Sequence, residues 1–187
     1  MKTILASDKI IANYDYRFMF GYPNRRYLCD WIQKIDLDYY NILIKDPASI
    51  RNFVSNYITY TDDKDQHGYA EYWVEDISNA LITQKEDCDG MSMLSISIMC
   101  TVGHDARLCV GIDSVTGETE IPNHVFGVVM DPAFPDDYEE AFLVESTTRG
   151  FYDTLSKVKD NKNYYTILTS ASVDGRMWLH NKWAEDL

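Results

Sequence analysis

The amino-acid sequence predicts an α+β fold, in which N-terminal helices and a buried central helix pack on an antiparallel β-sheet. Three observations lead to this prediction. Apolar residues recur at helical spacing between residues 47 and 102, and the last of these segments is apolar on nearly every side. After Gly103 the pattern changes to short runs of β-branched and aromatic residues. The connections between these runs are too short for helical crossovers, which predicts antiparallel neighbours.

The length and charge of the chain limit its class. The 187 residues, 45% of them apolar, are typical of a single domain with a substantial core. The net charge of −13 repels nucleic acid and anionic membranes, so neither is expected as a partner. Met1 to Ala6 reach Asp8 too soon for a signal peptide, and no apolar run approaches the roughly 20 residues of a membrane span. We therefore expect a cytoplasmic protein.

In that compartment the cysteines are expected to be free thiols. The chain has no Cys-x-x-Cys pair and no His-x-x-His spacing, so no metal and no cofactor is expected. The acidic clusters at residues 62–65 and 136–137 lack the spacing of a dedicated calcium loop and are expected to be solvated. The four cysteines are Cys29, Cys88, Cys100 and Cys109.

The N-terminal third is predicted to be partly helical. Residues 1–24 are expected to be irregular or strand-like, and residues 25–35 helical. Asp46 followed by Pro47 predicts a helix start, with an acidic N-cap and proline in the first turn. The apolar face of this helix comprises Ile50, Phe53, Val54 and Ile58.

The remaining elements follow in order. The polar residues 61–68 predict a loop, and residues 69–81 predict a helix with one apolar face. Strands are predicted at residues 107–112, 125–130, 141–146, 164–168 and 176–179, with a turn at Asp174-Gly175. Residues 114–122 and 131–140 are predicted to be loops.

The most informative stretch is residues 85–94, Lys-Glu-Asp-Cys-Asp-Gly-Met-Ser-Met-Leu. It leads into the apolar run at residues 91–102, which predicts a buried helix ending at Gly103. Cys88 would then lie at the helix N-terminus, where unpaired N–H groups and the helix dipole favour the reactive thiolate. The other three cysteines are expected to be structural, because Cys100 and Cys109 lie in apolar runs and Cys29 neighbours a tryptophan.

Two further residues complete a possible catalytic set. His124 opens an apolar strand after a loop, a position from which a side chain can point into a cleft and take a proton from a thiol. Glu145 lies in an apolar strand and therefore needs a partner, which a histidine can provide. Asp131 is the alternative acid, but its odd spacing from His124 puts it on the opposite strand face.

Four blocks in this order resemble the transglutaminase-like superfamily of cysteine enzymes, whose core is papain-like. The resemblance covers about residues 69–149. The blocks are residues 86–90 (Glu-Asp-Cys-Asp-Gly), 106–112 (Ala-Arg-Leu-Cys-Val-Gly-Ile), 123–128 (Asn-His-Val-Phe-Gly-Val) and 143–148 (Leu-Val-Glu-Ser-Thr-Thr). Three departures are Gly90 in place of an acid, glutamate instead of aspartate at residue 145, and the long excursion at residues 131–140.

The resemblance implies that Cys88 is the nucleophile, His124 the base and acid, and Glu145 the orienting carboxylate. The backbone N–H of Cys88 is a candidate oxyanion donor, with Trp73 or Gln84 as a second. Residues 1–187 are predicted to form one domain, with residues 69–149 as its core, an N-terminal extension and a C-terminal β-hairpin.

These residues favour a cysteine hydrolase, of protease or amidase type, that acts on a protein or peptide through a thioester. Acyl transfer is less favoured, because the sequence offers no second site for an amine. Two alternatives remain open: a transglutaminase-like binding or structural protein without activity, and a metal- or redox-linked thiol protein.

Overall fold

The computed structural model describes residues 2–5, 28–69, 72–113, 124–147, 153–160 and 165–180. Its helices are α1 (Pro47–Tyr57), α2 (Asp63–Gln66), α3 (Ala80–Thr83), α4 (Cys88–Thr101) and α5 (Leu155–Asp160), with 3₁₀ turns at Leu28–Trp31 and Ile77–Asn79. Its strands are β1 (Lys2–Leu5), β2 (Thr59–Tyr60), β3 (Lys85–Glu86), β4 (Ala106–Asp113), β5 (His124–Val129), β6 (Phe142–Val144), β7 (Tyr165–Ser172) and β8 (Arg176–Leu179).

One antiparallel sheet organises the described residues. Its strand order is β1-β8-β7-β4-β5-β6, and each neighbouring pair is antiparallel. α4 lies against one face of the sheet, and the short strands β2 and β3 form a separate parallel pair. The predicted α+β class is therefore confirmed. Among the described residues, no helix is both long enough and apolar enough to cross a membrane.

α4 is the buried central helix that the sequence predicts. Its residues from Asp89 to Met99 are all buried, as expected for a helix that is apolar on nearly every side. The Asp87 side chain caps it by accepting a hydrogen bond from the Asp89 N–H at 3.1 Å. Gly103, at φ +98°, supplies the left-handed residue that ends it.

The start of α1 also agrees with its prediction. The Asp46 carboxylate accepts a hydrogen bond from the Ser49 N–H at 2.9 Å, and Pro47 occupies the first turn. Ile50 and Val54 are buried on the face that packs against α4.

The helix predicted at residues 25–35 is wrong within the described part of that range. Only Leu28–Trp31 form a 3₁₀ turn, and the chain then runs along α4. Hydroxyl groups of α4 replace intrahelical partners, because Ser97 Oγ accepts from the Gln33 N–H at 2.9 Å and Thr101 Oγ1 accepts from the Ile35 N–H at 3.2 Å. Tertiary hydrogen bonds thus override the local preference.

The region before Cys88 also differs from prediction. The predicted loop at residues 61–68 contains the single turn α2, whose Asp63 is buried. The predicted helix at residues 69–81 is wrong within its described part, residues 69 and 72–81, because only the 3₁₀ turn Ile77–Asn79 and α3 are helical among those residues. The Asp76 side chain caps that turn by accepting a hydrogen bond from the Ser78 N–H at 3.0 Å. The helical conformation therefore begins at Ile77 and not at residue 69.

The strands after Gly103 are confirmed as β4 to β8, with ends shifted by a few residues. Asp174 and Gly175 form the turn of the C-terminal hairpin, with Gly175 at φ +86°. The short helix α5 is not predicted by the sequence. The predictions for residues 6–27, including the start of the helix expected at residues 25–35, and for the loop at residues 114–122 lie outside the described residues, and the single-domain assignment stays a prediction.

The excursion at residues 131–140 is irregular, as predicted, and it packs on the sheet face opposite α4. Buried Arg107 holds it in place, donating to the Pro135 carbonyl at 2.9 Å and to the Tyr138 hydroxyl at 2.8 Å. The extra residues therefore cover the second face of the sheet and join β5 to β6 as neighbouring strands.

Candidate active site

Cys88 is the first residue of α4, and its side chain is partly exposed. The parallel pair of β2 and β3 leads the chain into this position. The Thr59 N–H donates to the Gln84 carbonyl at 2.8 Å, and the Thr61 N–H donates to the Glu86 carbonyl at 3.0 Å. Backbone hydrogen bonds therefore fix the chain segment that precedes Cys88. Cys88 itself lies at the helix N-terminus, where the backbone N–H groups have no intrahelical partners.

His124 and Glu145 are in direct contact. His124 Nε2 lies 2.6 Å from Glu145 Oε2. The carboxylate side chain is fully buried, whereas 12% of the imidazole is exposed. Since Nε2 is engaged with the carboxylate, Nδ1 is the ring nitrogen suited to exchange a proton with a thiol.

The other oxygen of Glu145 is bound by Thr147. Glu145 Oε1 accepts from the Thr147 N–H at 2.8 Å and from the Thr147 hydroxyl at 2.6 Å. Burial alone would raise the pKa of Glu145, but hydrogen bonds from His124 and Thr147 and the nearby imidazole lower it below its usual value. The carboxylate therefore stays ionised, a state suited to hold an imidazolium.

Two contacts show how α4 and β5 are aligned. Ser92 Oγ donates to the Val125 carbonyl at 2.9 Å, and Ile96 packs on Gly127, where an added Cβ would lie 2.7 Å from Ile96 Cγ1. Four residues of helix rise about 6 Å and two residues of strand about 6.6 Å, so the helix and strand run side by side in the same direction. Cys88 lies one such helical step before Ser92, and His124 directly precedes Val125, so both belong to the end of this contact at which α4 and β5 begin.

The two suggested side-chain donors for an oxyanion differ in their surroundings. Trp73 is buried and packs edge to face on Trp31, with ring centroids 5.2 Å apart. Gln84 is exposed and left-handed, at φ +57°, and ends α3. Trp73 is therefore fixed in the core, whereas the Gln84 side chain lies at the surface.

Three buried carboxylates meet beside Cys88. Oxygens of Asp63, Asp87 and Asp89 all lie within 4.8 Å of one another. Burial and the Asp87 charge raise the pKa of Asp63 to about 7, and burial together with Asp87 and Asp63 raises the pKa of Glu86 to about 8. Grouped carboxylates out of water repel one another, so the cluster favours either protons or a cation.

Sequence reasoning missed this cluster, because it treated residue 63 as part of a solvated loop. The acidic residues on both sides of Cys88 were a usable signal, since a buried helix start leaves little water for two carboxylates. Gly90, a departure from the superfamily pattern, also has a local reason. An added Cβ there would lie 2.7 Å from Glu86 Cδ, so the Glu86 carboxyl group occupies the space.

The remaining candidates lie elsewhere. Asp131 accepts from the Ala133 N–H at 2.8 Å and closes a turn in the excursion. Cys109 is fully buried, and Cys100 donates to the Ala106 carbonyl at 3.3 Å at the other end of α4. All four cysteines are unbridged.

Comparison with known proteins supports the fold. No family model and no curated protein matches the chain. Among solved structures, LapG of Legionella pneumophila is similar over 85% of this chain and 77% of its own, with a TM-score of 0.55 and 14% identity. The EGTA-treated form matches with a TM-score of 0.55 and 14% identity, over 83% of this chain and 73% of its own. The calcium-bound form matches with a TM-score of 0.53 and 15% identity, over 81% and 74%. LapG has a transglutaminase-like fold, and the described part of this chain shares that fold.

Proposed function

We propose that this protein is a cysteine hydrolase, of protease or amidase type, that cleaves a protein or peptide through a thioester. The observation that carries the proposal is the 2.6 Å contact between His124 and buried Glu145, at the start of the strand that packs beside a helix beginning with Cys88. Similarity to LapG, a cysteine protease with the same fold, supports the same class of chemistry.

The first step is ionisation of the thiol. Cys88 Sγ gives its proton to His124 Nδ1, and Nε2–H keeps its hydrogen bond to Glu145 Oε2. The imidazolium that forms lies against an ionised carboxylate in a buried site, where their attraction is stronger than in water. Glu145 thus fixes the ring orientation and stabilises the charged ring without taking the proton itself.

Acylation follows from attack of the thiolate on the substrate carbonyl. A carbon–sulfur bond forms, and the carbonyl π electrons move to oxygen. The N–H of Cys88 is suited to stabilise this oxyanion, with Trp73 or Gln84 as the second donor, and loss of one such donor typically costs about 100- to 1,000-fold in rate. The intermediate collapses, the carbon–nitrogen bond breaks, and the amine leaves with the proton from His124.

Deacylation returns the enzyme to its starting state. His124 takes a proton from water as the water oxygen adds to the thioester carbonyl. The second intermediate expels the sulfur, which recovers the proton, and releases a carboxylic acid. We favour water over an amine as the acceptor of the acyl group, because the sequence indicates no second binding site for an amine substrate.

Selective modification of Cys88 tests the proposal. We expect iodoacetamide to alkylate Cys88 faster than the other three cysteines, and Cys88→Ser to abolish both this labelling and peptide hydrolysis while the protein stays folded. Cys100→Ser is the matched control, because Cys100 is also partly exposed and lies at the opposite end of α4. Equal labelling of all four thiols would favour the binding-protein alternative.

We further propose that Asp63, Asp87 and Asp89 hold a divalent cation, with calcium as the first candidate. This revises the expectation that no metal is bound. The donor set fits, since three buried carboxylates provide only hard oxygen ligands. The calcium-bound form of LapG, which shares the fold, directs attention to this ion. A bound cation would offset the carboxylate charge beside Cys88 and so favour the thiolate.

Calcium binding is measurable without any substrate. We expect calcium, added to protein first treated with EGTA, to raise the melting temperature, and isothermal titration to give one site. Asp89→Asn should weaken both effects strongly. Asp65→Asn should leave both effects unchanged, because Asp65 is an exposed residue of α2, the helix that carries Asp63. No change of melting temperature with calcium, or the same response from Asp89→Asn and wild type, would remove the cation from the proposal; magnesium serves as the comparison ion.

A further inference from the structure

One face of α4 carries both the candidate nucleophile and two buried hydroxyl groups. Cys88, Ser92 and Ser95 are spaced by four and three residues, which places them along one side of the helix. Ser92 and Ser95 are fully buried. Ser92 binds the strand that begins with His124, through the Val125 carbonyl. Ser95 lies about one turn further along the helix.

Ser95 contacts the segment that carries the candidate acid. Its hydroxyl lies 2.6 Å from the hydroxyl of Ser146, the residue that follows Glu145. Ser146 is fully buried as well. The helix that begins with Cys88 is thus bonded directly to the neighbour of Glu145, about two helical turns from the thiol.

Residues 145 and 146 follow Val144, the last residue of β6, which is an outer strand of the sheet among the described residues. Side chains of α1 bind this segment on its other side. Arg51 Nε donates to the Glu145 carbonyl at 2.6 Å, and Ser55 Oγ donates to the Ser146 carbonyl at 2.6 Å. Arg51 and Ser55 are one helical turn apart on α1. Residues 145 and 146 are therefore held by hydrogen bonds from α1 on one side and from α4 on the other.

We propose that Ser95 is a positioning residue that, through Ser146, sets Glu145 in the orientation that His124 requires. The inference rests on the proposed function, because it assigns a role in the same catalytic set. Ser95 acts through the residue next to the acid, about two helical turns from the thiol. Loss of the Ser95 hydroxyl should therefore leave substrate binding intact and lower the rate of the chemical step.

Ser95→Ala tests this role, and Ser97→Ala is its matched control. Both serines are fully buried in α4, but Ser97 binds the Gln33 N–H on another face of the helix. We expect Ser95→Ala to reduce kcat by up to about 100-fold with little change in KM, the range that a small misplacement of catalytic groups can cause. Ser97→Ala should keep kcat near the wild-type value. Ser146→Ala should reproduce the effect of Ser95→Ala.

Nuclear magnetic resonance gives a readout that does not depend on turnover. The Nε2–H proton of His124 should give a low-field signal, assigned by its absence in His124→Gln. We expect this signal to shift or broaden in Ser95→Ala and Ser146→Ala and to stay unchanged in Ser97→Ala. The same signal in Ser95→Ala, Ser97→Ala and wild type would overturn the inference. An inactive wild type that still shows the predicted change would refute the hydrolase and keep the positioning role.

Discussion

Replacing Gly127 with alanine tests the alignment of α4 with β5, on which the proposed pairing of Cys88 with His124 depends. Gly127 faces Ile96 across the contact between helix and strand. An added Cβ would lie 2.7 Å from Ile96 Cγ1 and closer still to its Cδ1. Ordinary contact begins near 3.4 Å, so the helix and strand must separate by at least about 0.7 Å or the side chain must leave its place.

The size of the effect follows from this overlap. Overpacking a well-packed core costs about 1–3 kcal/mol. A chain of this length loses about 2–4 °C of melting temperature for each kcal/mol, so Gly127→Ala should melt about 2–12 °C below wild type. The same displacement moves the first turn of α4 relative to His124, so alkylation of Cys88 should slow as well.

Ile96→Ala provides the matched partner in a double-mutant cycle. Alone it removes the two atoms that the new methyl group would meet and should cost about 2–5 kcal/mol. Combined with Gly127→Ala it makes room for that methyl group, so the double variant should be more stable than the sum of the single effects by about 1 kcal/mol or more. Urea denaturation gives the free energy of unfolding of the wild type, the two single variants and the double variant. Additive changes would refute the described contact and the alignment drawn from it.

Two further predictions concern buried acids. Glu145→Gln should keep the fold, shown by circular dichroism, and lower kcat by up to about 10,000-fold, because an amide cannot stabilise the imidazolium; activity near the wild-type value would contradict the assigned role. The pKa of Glu86 is raised to about 8 from 4.5, so the folded state binds this proton more tightly than the unfolded state and loses stability as the pH rises between those values. In EGTA, Glu86→Gln should abolish up to about 4 kcal/mol of that loss, measured by urea denaturation at pH 5 and pH 8, and equal slopes for both proteins would contradict it.

The sequence predicted the central part of the fold because its signals there are strong and local. A helix apolar on nearly every side can only be buried, and the change of period after Gly103 indicates strands. Asp46 and Pro47 likewise mark a helix start by their own chemistry. At each of these positions, local preference and tertiary packing lead to the same structure.

The failed predictions occur where packing with distant residues decides the backbone. Residues 33 and 35 bind hydroxyl groups of α4, more than 60 positions away, and such partners leave no local pattern. The helix expected at residues 69–81 fails for a related reason. Its predicted apolar face is real, since Trp73 and Ile77 are buried, but these residues reach the core without a continuous helix.

The sequence predicts the three candidate catalytic residues and their order along the chain, but not the neighbouring residues that hydrogen-bond to them or lie beside them. Cys88, His124 and Glu145 follow from residue type and position relative to predicted elements. Thr147, Ser95 and Asp63 do not, because a hydroxyl group or a single carboxylate gains meaning only from the neighbour that the fold supplies. The serines of α4 read as interruptions of an apolar run, whereas in the structure they bind segments on two sides of the helix.

Stability alone does not account for the His124–Glu145 pair. Replacing a buried ion pair by apolar residues of similar volume is often neutral or stabilising, so a buried carboxylate beside a histidine adds little stability to a protein that uses this fold only for binding. The pair is also asymmetric, because the acid is fully buried while the imidazole is 12% exposed. A ligand at the surface can therefore meet the ring but not the carboxylate, so Glu145 can influence such a ligand only through His124. Holding and stabilising a charged imidazole is what thiol activation requires, which favours the hydrolase over the binding-protein alternative.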